Sequence, residues 1–186
     1  LPQQTYRPPA DTPFFKILVP TIDTLRTQMV SKVYVSESQH LLLMGEVGVG
    51  KTMVAQSVLD DINEQQSCMF VNFSAQTSSN SLQDTIEGRL EKRTKGVFAP
   101  AGGKHLITFI DDLNMPQKSK FGFIPPLELL KLWVDNGFWY DRQKCELKHV
   151  KDMQLMAAMA PPGGGRNAFS QRILACFNVV LSLIHI

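Results

Sequence analysis

The strongest chemical pattern in the sequence is the segment from Gly45 to Thr52, which reads Gly-Glu-Val-Gly-Val-Gly-Lys-Thr. It matches G-x-x-x-x-G-K-[ST], a loop whose successive backbone N–H groups surround phosphate oxygens. Lys51 supplies a mobile positive charge for the β- and γ-phosphates, and the Thr52 hydroxyl supplies a ligand for Mg²⁺. The predicted phosphate-binding residues are Gly45, Glu46, Val47, Gly48, Val49, Gly50, Lys51 and Thr52.

Two consecutive carboxylates, Asp111 and Asp112, follow the apolar run 106–110. At the carboxyl end of a strand beside the phosphate loop, Asp111 is predicted to face Mg²⁺, directly or through water. Asp112 would then be placed to polarise an attacking water. Hydrolytic ATPases with this loop usually have Glu at that position, and the Asp carboxylate lies roughly 1.5 Å further back. Because such a displacement can cost about 100-fold in rate, we expect nucleotide binding with slow or absent turnover.

Two arginines near the end of the chain are further candidates. Arg166 follows three glycines in the segment 161–167, and Arg172 lies six residues later. An arginine guanidinium is suited to bind phosphate through several parallel hydrogen bonds. Either arginine could equally form a surface or inter-domain salt bridge, so the sequence leaves both interpretations open.

The elements that would position these residues alternate between helix and strand. Apolar positions at helical spacing predict helices, and unbroken apolar runs predict strands that are covered on both faces. A hairpin or loop is expected over 96–103, and the basic run 92–95 is interpreted as a solvated helix end. Alternation of this kind predicts an α/β fold with a mostly parallel sheet. The predicted helices span 23–35, 51–63, 81–94 and 127–134, and the predicted strands span 40–44, 68–73, 106–110 and 154–159.

Length and composition restrict the class of protein. The chain has 186 residues, enough for one domain with a proper core, and its 44% hydrophobic content is that of a globular protein. With 19 Lys+Arg against 17 Asp+Glu, bulk charge gives no argument for nucleic acid or an anionic membrane as partner. No apolar run approaches the roughly 18 residues of a membrane span. The three cysteines (Cys68, Cys145 and Cys176) are interpreted as reduced thiols of a cytosolic-type compartment.

Several blocks of sequence resemble the dynein heavy chains. The blocks are Val-Pro-Thr-Ile-Asp-Thr at 19–24, Asn-Phe-Ser-Ala-Gln-Thr at 72–77, Asp-Asp-Leu-Asn-Met-Pro at 111–116, Gly-Phe-Trp-Tyr-Asp at 137–141 and Pro-Pro-Gly-Gly-Gly-Arg-Asn at 161–167. The set is most similar to the third AAA+ module of the motor ring in an axonemal heavy chain. The resemblance covers about residues 15 to 180.

This resemblance implies a P-loop NTPase fold, the large subdomain of an AAA+ module, in a ring that moves along microtubules by hydrolysing ATP. It implies ATP or ADP and Mg²⁺ as cofactors, with Val19 and Pro20 near the adenine and Asp112 where the catalytic Glu belongs. Arg172 occupies the position of an arginine finger that acts in the neighbouring module. The implied partners are neighbouring modules of the same heavy chain, dynein intermediate and light chains, and microtubules. The implied location is the cytoplasm, the cytoskeleton and the axoneme of a cilium or flagellum.

Two departures from the family pattern bear on activity. Ala160 stands where many AAA+ modules carry a polar sensor residue, and Asp112 replaces the usual Glu. We expect a linker or arm over 1–16, the nucleotide-binding subdomain over 17–180 without its helical lid, and a truncated or wrongly joined end over 181–186. The alternatives are an independently active AAA+ ATPase or remodeller, and a structural ring module without nucleotide exchange. A small GTPase is disfavoured because the sequence lacks the Asn-Lys-x-Asp guanine signature.

Overall fold

The structure is a computed structural model, and it describes residues 21–181. The predicted arm over 1–16, the adenine contacts at Val19 and Pro20, and residues 182–186 lie outside the described residues. Within them, helices and strands are numbered in chain order. They are α1 (Ile22–Ser36), β1 (Leu41–Met44), α2 (Lys51–Asp60), β2 (Gln66–Asn72), α3 (Ser79–Glu87), β3 (Leu90–Thr94), β4 (Val97–Pro100), β5 (His105–Asp111), α4 (Pro125–Asn136), β6 (Phe138–Tyr140), β7 (Leu147–Val150), β8 (Met153–Met159), α5 (Gln171–Leu174) and β9 (Asn178–Leu181).

A five-stranded parallel sheet forms the centre of the molecule, in the order β2-β5-β8-β1-β9. All seven residues of β8 are buried, as expected for a strand whose two faces are both covered. Because these strands run parallel, β1 and β5 end at the same edge of the sheet. The predicted α/β fold with a mostly parallel sheet is confirmed. At its far edge, β9 includes Leu181, which pairs with Met44.

Two hydrophobic cores cover the two faces of this sheet. Leu41 and Leu43 pack with Val58 and other residues of α1 and α2, whereas Leu42 packs with Leu127 and other residues of α3 and α4. All three leucines of β1 are fully buried. Because successive side chains of a strand point to opposite faces, an unbroken apolar run is the pattern that this two-sided burial requires.

A second, four-stranded sheet has the order β3-β4-β7-β6, and it was not predicted from the sequence. The predicted helix over 81–94 is wrong in its second half, because α3 ends at Glu87 and residues 90–94 form β3. A glycine, Gly88, caps α3, and β3 then obtains its backbone hydrogen bonds from β4 in an antiparallel hairpin. The basic run 92–95 is therefore exposed along a strand and its turn and is not a helix end.

A half-buried polar cluster attaches the second sheet to α3. The Trp139 indole Nε1 donates to Glu87 Oε1 at 2.9 Å, and Lys148 Nζ lies 2.8 Å from both Glu87 Oε2 and Asp141 Oδ2. The Lys148 hydrogen bond, with backbone N–H donors, holds the pKa of Asp141 well below its ordinary value. Trp133 and Trp139 are buried, whereas Tyr140 is exposed.

His40, which is half-buried, hydrogen-bonds to both β8 and β9 of the main sheet, through its side chain and its backbone respectively. Its Nδ1 accepts the backbone N–H of Leu155 at 3.2 Å, and its carbonyl oxygen accepts the N–H of Asn178. Burial, with a smaller contribution from nearby His105, lowers the pKa of His40 below its ordinary value. The neutral ring is therefore the form that fits the fold, because a protonated Nδ1 could no longer accept this bond.

Acidification is expected to loosen β8 and β9 through His40. The unfolded chain takes up the proton near pH 6.5 and the folded chain only below that, so stability present above about pH 6.5 is lost as the pH falls, by at most about 1.4 kcal/mol per pH unit for this group. Hydrogen exchange of peptides 153–159 and 178–181, corrected for intrinsic rates, measures the loss. His40→Asn keeps an acceptor without a proton to gain and should reduce it. An equal loss in the variant would assign the effect to another group, such as His105.

No helix within residues 21–181 has the length and apolar character needed to cross a membrane.

Candidate functional site

The phosphate-loop sequence lies between β1 and α2, at the carboxyl edge of the central sheet. Gly48 and Gly50 have φ values of 88° and 79°, in the left-handed region that glycine adopts without strain. Open space lies where a Cβ would stand at either glycine, so the backbone itself borders the cleft. Helix α2 begins at Lys51 and directs its free N–H groups and positive dipole end toward the same space.

Lys51 is folded back against the loop that carries it. Its Nζ donates to the carbonyl oxygens of Gly45 at 3.0 Å and Glu46 at 2.7 Å. Burial lowers the pKa of Lys51 below its ordinary value, and the carboxylates of Asp111 and Asp112 act in the opposite direction. The ammonium group thus lies within the field of both predicted carboxylates.

Asp111 and Thr52 meet although they are far apart in sequence. The Thr52 hydroxyl donates to Asp111 Oδ2 at 2.7 Å, while Asp111 Oδ1 accepts the backbone N–H of Asp112 at 3.0 Å. A hydroxyl and a carboxylate are oxygen ligands of the type that Mg²⁺ takes, usually with water and substrate phosphates. Within residues 21–181 there is no group of three or more His, Cys, Asp or Glu that could hold a metal ion. These two oxygens therefore fit a Mg²⁺ shared with phosphate, not one enclosed by protein.

Asp112 has φ of 52°, a left-handed conformation that Asp tolerates better than most residues. Its side chain is 45% exposed, and its Oδ1 lies 3.4 Å from the guanidinium Nη2 of Arg166. Both residues border a cleft of about 360 Å³ that also contains the phosphate loop. The residues around this cleft are Val47, Gly48, Gly50, Lys51, Thr52, Met53, Asp111, Asp112, Ala160 and Arg166.

The structure thus brings together most of the predicted site residues. Gly45 and Glu46 contribute through their carbonyl oxygens, which accept hydrogen bonds from Lys51. Ala160, at the predicted sensor position after β8, borders the cleft with a methyl group. No polar side chain reaches the cleft from this position.

Two asparagines in the site were missed by the sequence analysis. Asn114 is fully buried, and its Nδ2 donates to the carbonyl oxygen of Ala160 at 2.8 Å. The Asn167 side chain donates to the carbonyl oxygen of Pro116 at 2.6 Å, and the Asn167 backbone N–H donates to the carbonyl oxygen of Asn114. These bonds attach the loop of Arg166 to the segment that follows Asp112. The only sequence signal was that each asparagine lies within a block that resembles the dyneins.

Arg172 lies apart from this cleft. It is on the short helix α5, its side chain is 70% exposed, and its Nη2 lies 3.7 Å from Glu128 Oε2. An exposed pair at this distance contributes little to stability. The position leaves the guanidinium exposed, and an in-trans role stays a prediction.

Comparison with known proteins gives the family. A family model described as "P-loop containing dynein motor region" matches residues 6–183. The chain is 74% identical over 173 residues to the dynein-1-beta heavy chain of the flagellar inner arm I1 complex of Chlamydomonas reinhardtii, a match that covers 92% of this chain and 4% of that protein. It is 54% identical over 178 residues to dynein axonemal heavy chain 2 of Mus musculus, covering 95% and 4%. Dynein axonemal heavy chain 1 of Rattus norvegicus is 42% identical over 170 residues, covering 90% and 4%. The chain thus spans about 4% of the length of these curated relatives.

Proposed function

Because this chain belongs to the family of P-loop-containing dynein motor regions, we propose that it forms a nucleotide-binding AAA+ module of a microtubule-based motor. The module binds ATP or ADP with Mg²⁺ and regulates the motor ring through its nucleotide state. One observation supports this most directly: Lys51, Thr52, Asp111 and Asp112 converge on a single cleft at the carboxyl edge of a parallel sheet. In open α/β sheets this edge is where ligands bind.

Each side chain has a role that follows from its chemistry. The backbone of the phosphate loop (residues 45–50) and Lys51 would hold the phosphates, and Thr52 and Asp111 would hold Mg²⁺. The bound cation supplies charge neutralisation at the phosphates. Lys51 must give up its two loop carbonyls to reach a phosphate, an exchange of neutral acceptors for a charged one that favours binding.

Hydrolysis at this site is proposed to be weak or slow. The Asp112 side chain is one methylene shorter than a glutamate, so its carboxylate stands roughly 1.5 Å further from an attacking water. Ala160 offers no polar group to orient a water. Positioning errors of about 1 Å can cost about 100-fold in rate.

The regulatory role concerns the complete motor. Coupling between two sites typically amounts to about 1–3 kcal/mol. We place this chain in the third module of the ring, with Arg172 acting in a neighbouring module's site. The relatives are axonemal heavy chains by name, so the proposed surroundings are the axoneme and its microtubules, with intermediate and light chains as partners of the whole motor.

Nucleotide binding is expected to depend on Lys51. In the complete motor, photolabelling with 8-azido-ATP and Mg²⁺ followed by mass spectrometry reports labelling of peptides from this chain. Lys51→Ala should weaken labelling by about 10-fold or more, because it removes a charge-assisted contact to phosphate. Lys120→Ala, an exposed lysine outside the cleft, is the matched control and should label normally.

The alternatives give different results in this experiment. Labelling that is absent from both the native motor and Lys51→Ala would favour a structural module without nucleotide exchange. Rapid conversion of the bound triphosphate, near 1 s⁻¹ or faster, would favour an independently active ATPase. Unchanged microtubule release and velocity in the Lys51→Ala motor would contradict the regulatory role.

A further inference from the structure

The ion pair between Arg166 and Asp112 is held loosely inside the cleft. Its 3.4 Å separation exceeds the roughly 2.7–2.9 Å of a strong charge-assisted hydrogen bond. The Asp112 side chain is 45% exposed and that of Arg166 is 21% exposed, so neither side chain is fully enclosed by the protein. A contact of this kind can be exchanged for a better one at little cost.

The Arg166 guanidinium also has a donor to spare. Its Nε is buried and has no hydrogen-bond partner among the described residues. A buried donor without an acceptor costs free energy, which an incoming acceptor would recover. Arginine presents five N–H donors in a planar fork that matches phosphate oxygens. Because Arg166 borders the same cleft as Lys51 and Thr52, the acceptor that suits it is a phosphate held there.

The backbone around Arg166 is anchored, so only the side chain has to move. Gly163 and Arg166 exchange two backbone hydrogen bonds, of 3.2 and 3.0 Å, across a tight turn. Asn167, the next residue, is bonded to Asn114 and Pro116, which lie just after Asp112. These bonds hold the backbone of the turn beside the backbone that follows Asp112. A change of partner therefore requires only the guanidinium of Arg166 to move.

We propose that Arg166 distinguishes nucleoside triphosphate from diphosphate by exchanging the Asp112 carboxylate for the terminal phosphate. The inference rests on the proposed nucleotide binding and adds how the site is regulated. With a diphosphate, Arg166 stays on Asp112 and restrains it. With a triphosphate, Arg166 leaves Asp112, and the carboxylate becomes available to a water. Arg166 is then a specificity determinant and a positioning residue for Asp112.

Competition in the complete motor tests the exchange without relying on turnover. Photolabelling of this chain's peptides with 8-azido-ADP is competed with the β,γ-imido analogue of ATP or with ADP. Arg166→Gln should weaken the triphosphate analogue about 10-fold and ADP by less than about 2-fold. Retained ADP binding shows that the variant folds. Arg26→Gln, which removes an arginine whose side chain is 75% exposed on α1, is the matched control and should leave both competitors unchanged.

A double-mutant cycle separates exchange from a simple charge effect. Asp112→Asn releases Arg166 and should tighten the triphosphate analogue several-fold in the native background. In the Arg166→Gln background the same substitution should have no further effect, because the group that it releases is absent. A gain that persists without Arg166 would show that Asp112 acts only through its field, and it would overturn the exchange.

The two proposals fail in different ways. If Lys51→Ala leaves labelling unchanged, nucleotide binding at this site is wrong and the exchange falls with it. If labelling depends on Lys51 but Arg166→Gln weakens both competitors equally, binding stands and the exchange alone is wrong.

Discussion

Replacing Asp112 with glutamate is expected to accelerate conversion of bound ATP at this site by up to about 100-fold. The longer side chain carries its carboxylate roughly 1.5 Å further into a cleft of about 360 Å³. The gain is opposed by the backbone, because φ of 52° suits Asp better than a longer residue and costs Glu on the order of 1 kcal/mol. The ratio of triphosphate to diphosphate adducts on photolabelled peptides, followed in a single turnover, measures the rate.

Asp112→Gln is the matched control for this gain, because glutamine has the length of glutamate and no basic oxygen. It should leave the rate at or below that of the native motor. Equal acceleration by Glu and Gln would assign the change to altered packing or to release of Arg166. No acceleration by Glu would mean that Ala160 or another feature of the site limits the chemistry.

Truncation of Trp139 is expected to detach the second sheet from α3. Trp139 is fully buried, and replacing such a residue with alanine typically costs about 3–5 kcal/mol. The substitution also removes the indole N–H that donates to Glu87, so that only Gln83 and Lys148 still donate side-chain hydrogen bonds to this carboxylate. Hydrogen exchange of peptides 138–150 in the complete motor should become faster, while β8 keeps most of its protection.

Tyr140→Ala tests whether the effect is specific. Tyr140 is the next residue on the same strand, and it is 52% exposed. Surface substitutions of this kind usually change stability by less than about 0.5 kcal/mol. Equal loss of protection in both variants would show that β6 tolerates no truncation and that the cluster around Glu87 has no special role.

Local sequence patterns predicted four of the five strands of the central sheet, because each of those four carries its own signal, and they did not predict β9. The run 41–44 must be apolar throughout, since Leu41 and Leu43 face one core and Leu42 faces the other. The phosphate loop was equally readable, because glycines at positive φ and a lysine beside a helix start are requirements of one short segment. The predicted helix over 81–94 failed where the local pattern continued but Gly88 ended the helix.

The sequence by itself determined the fold class, the family, and the identity of the phosphate loop and the Asp111-Asp112 pair. Each of these depends on residues that are neighbours in the chain. Tertiary structure alone decided that Thr52 bonds Asp111, that Arg166 lies against Asp112, and that Asn114 and Asn167 join the two segments. It also decided that residues 90–94 pair as a strand with 97–100. The segments joined by these contacts are far apart in the chain, and nothing in the hydrophobic pattern of one segment indicates its partner. The contacts form only after the sheet has brought the ends of its strands to one edge.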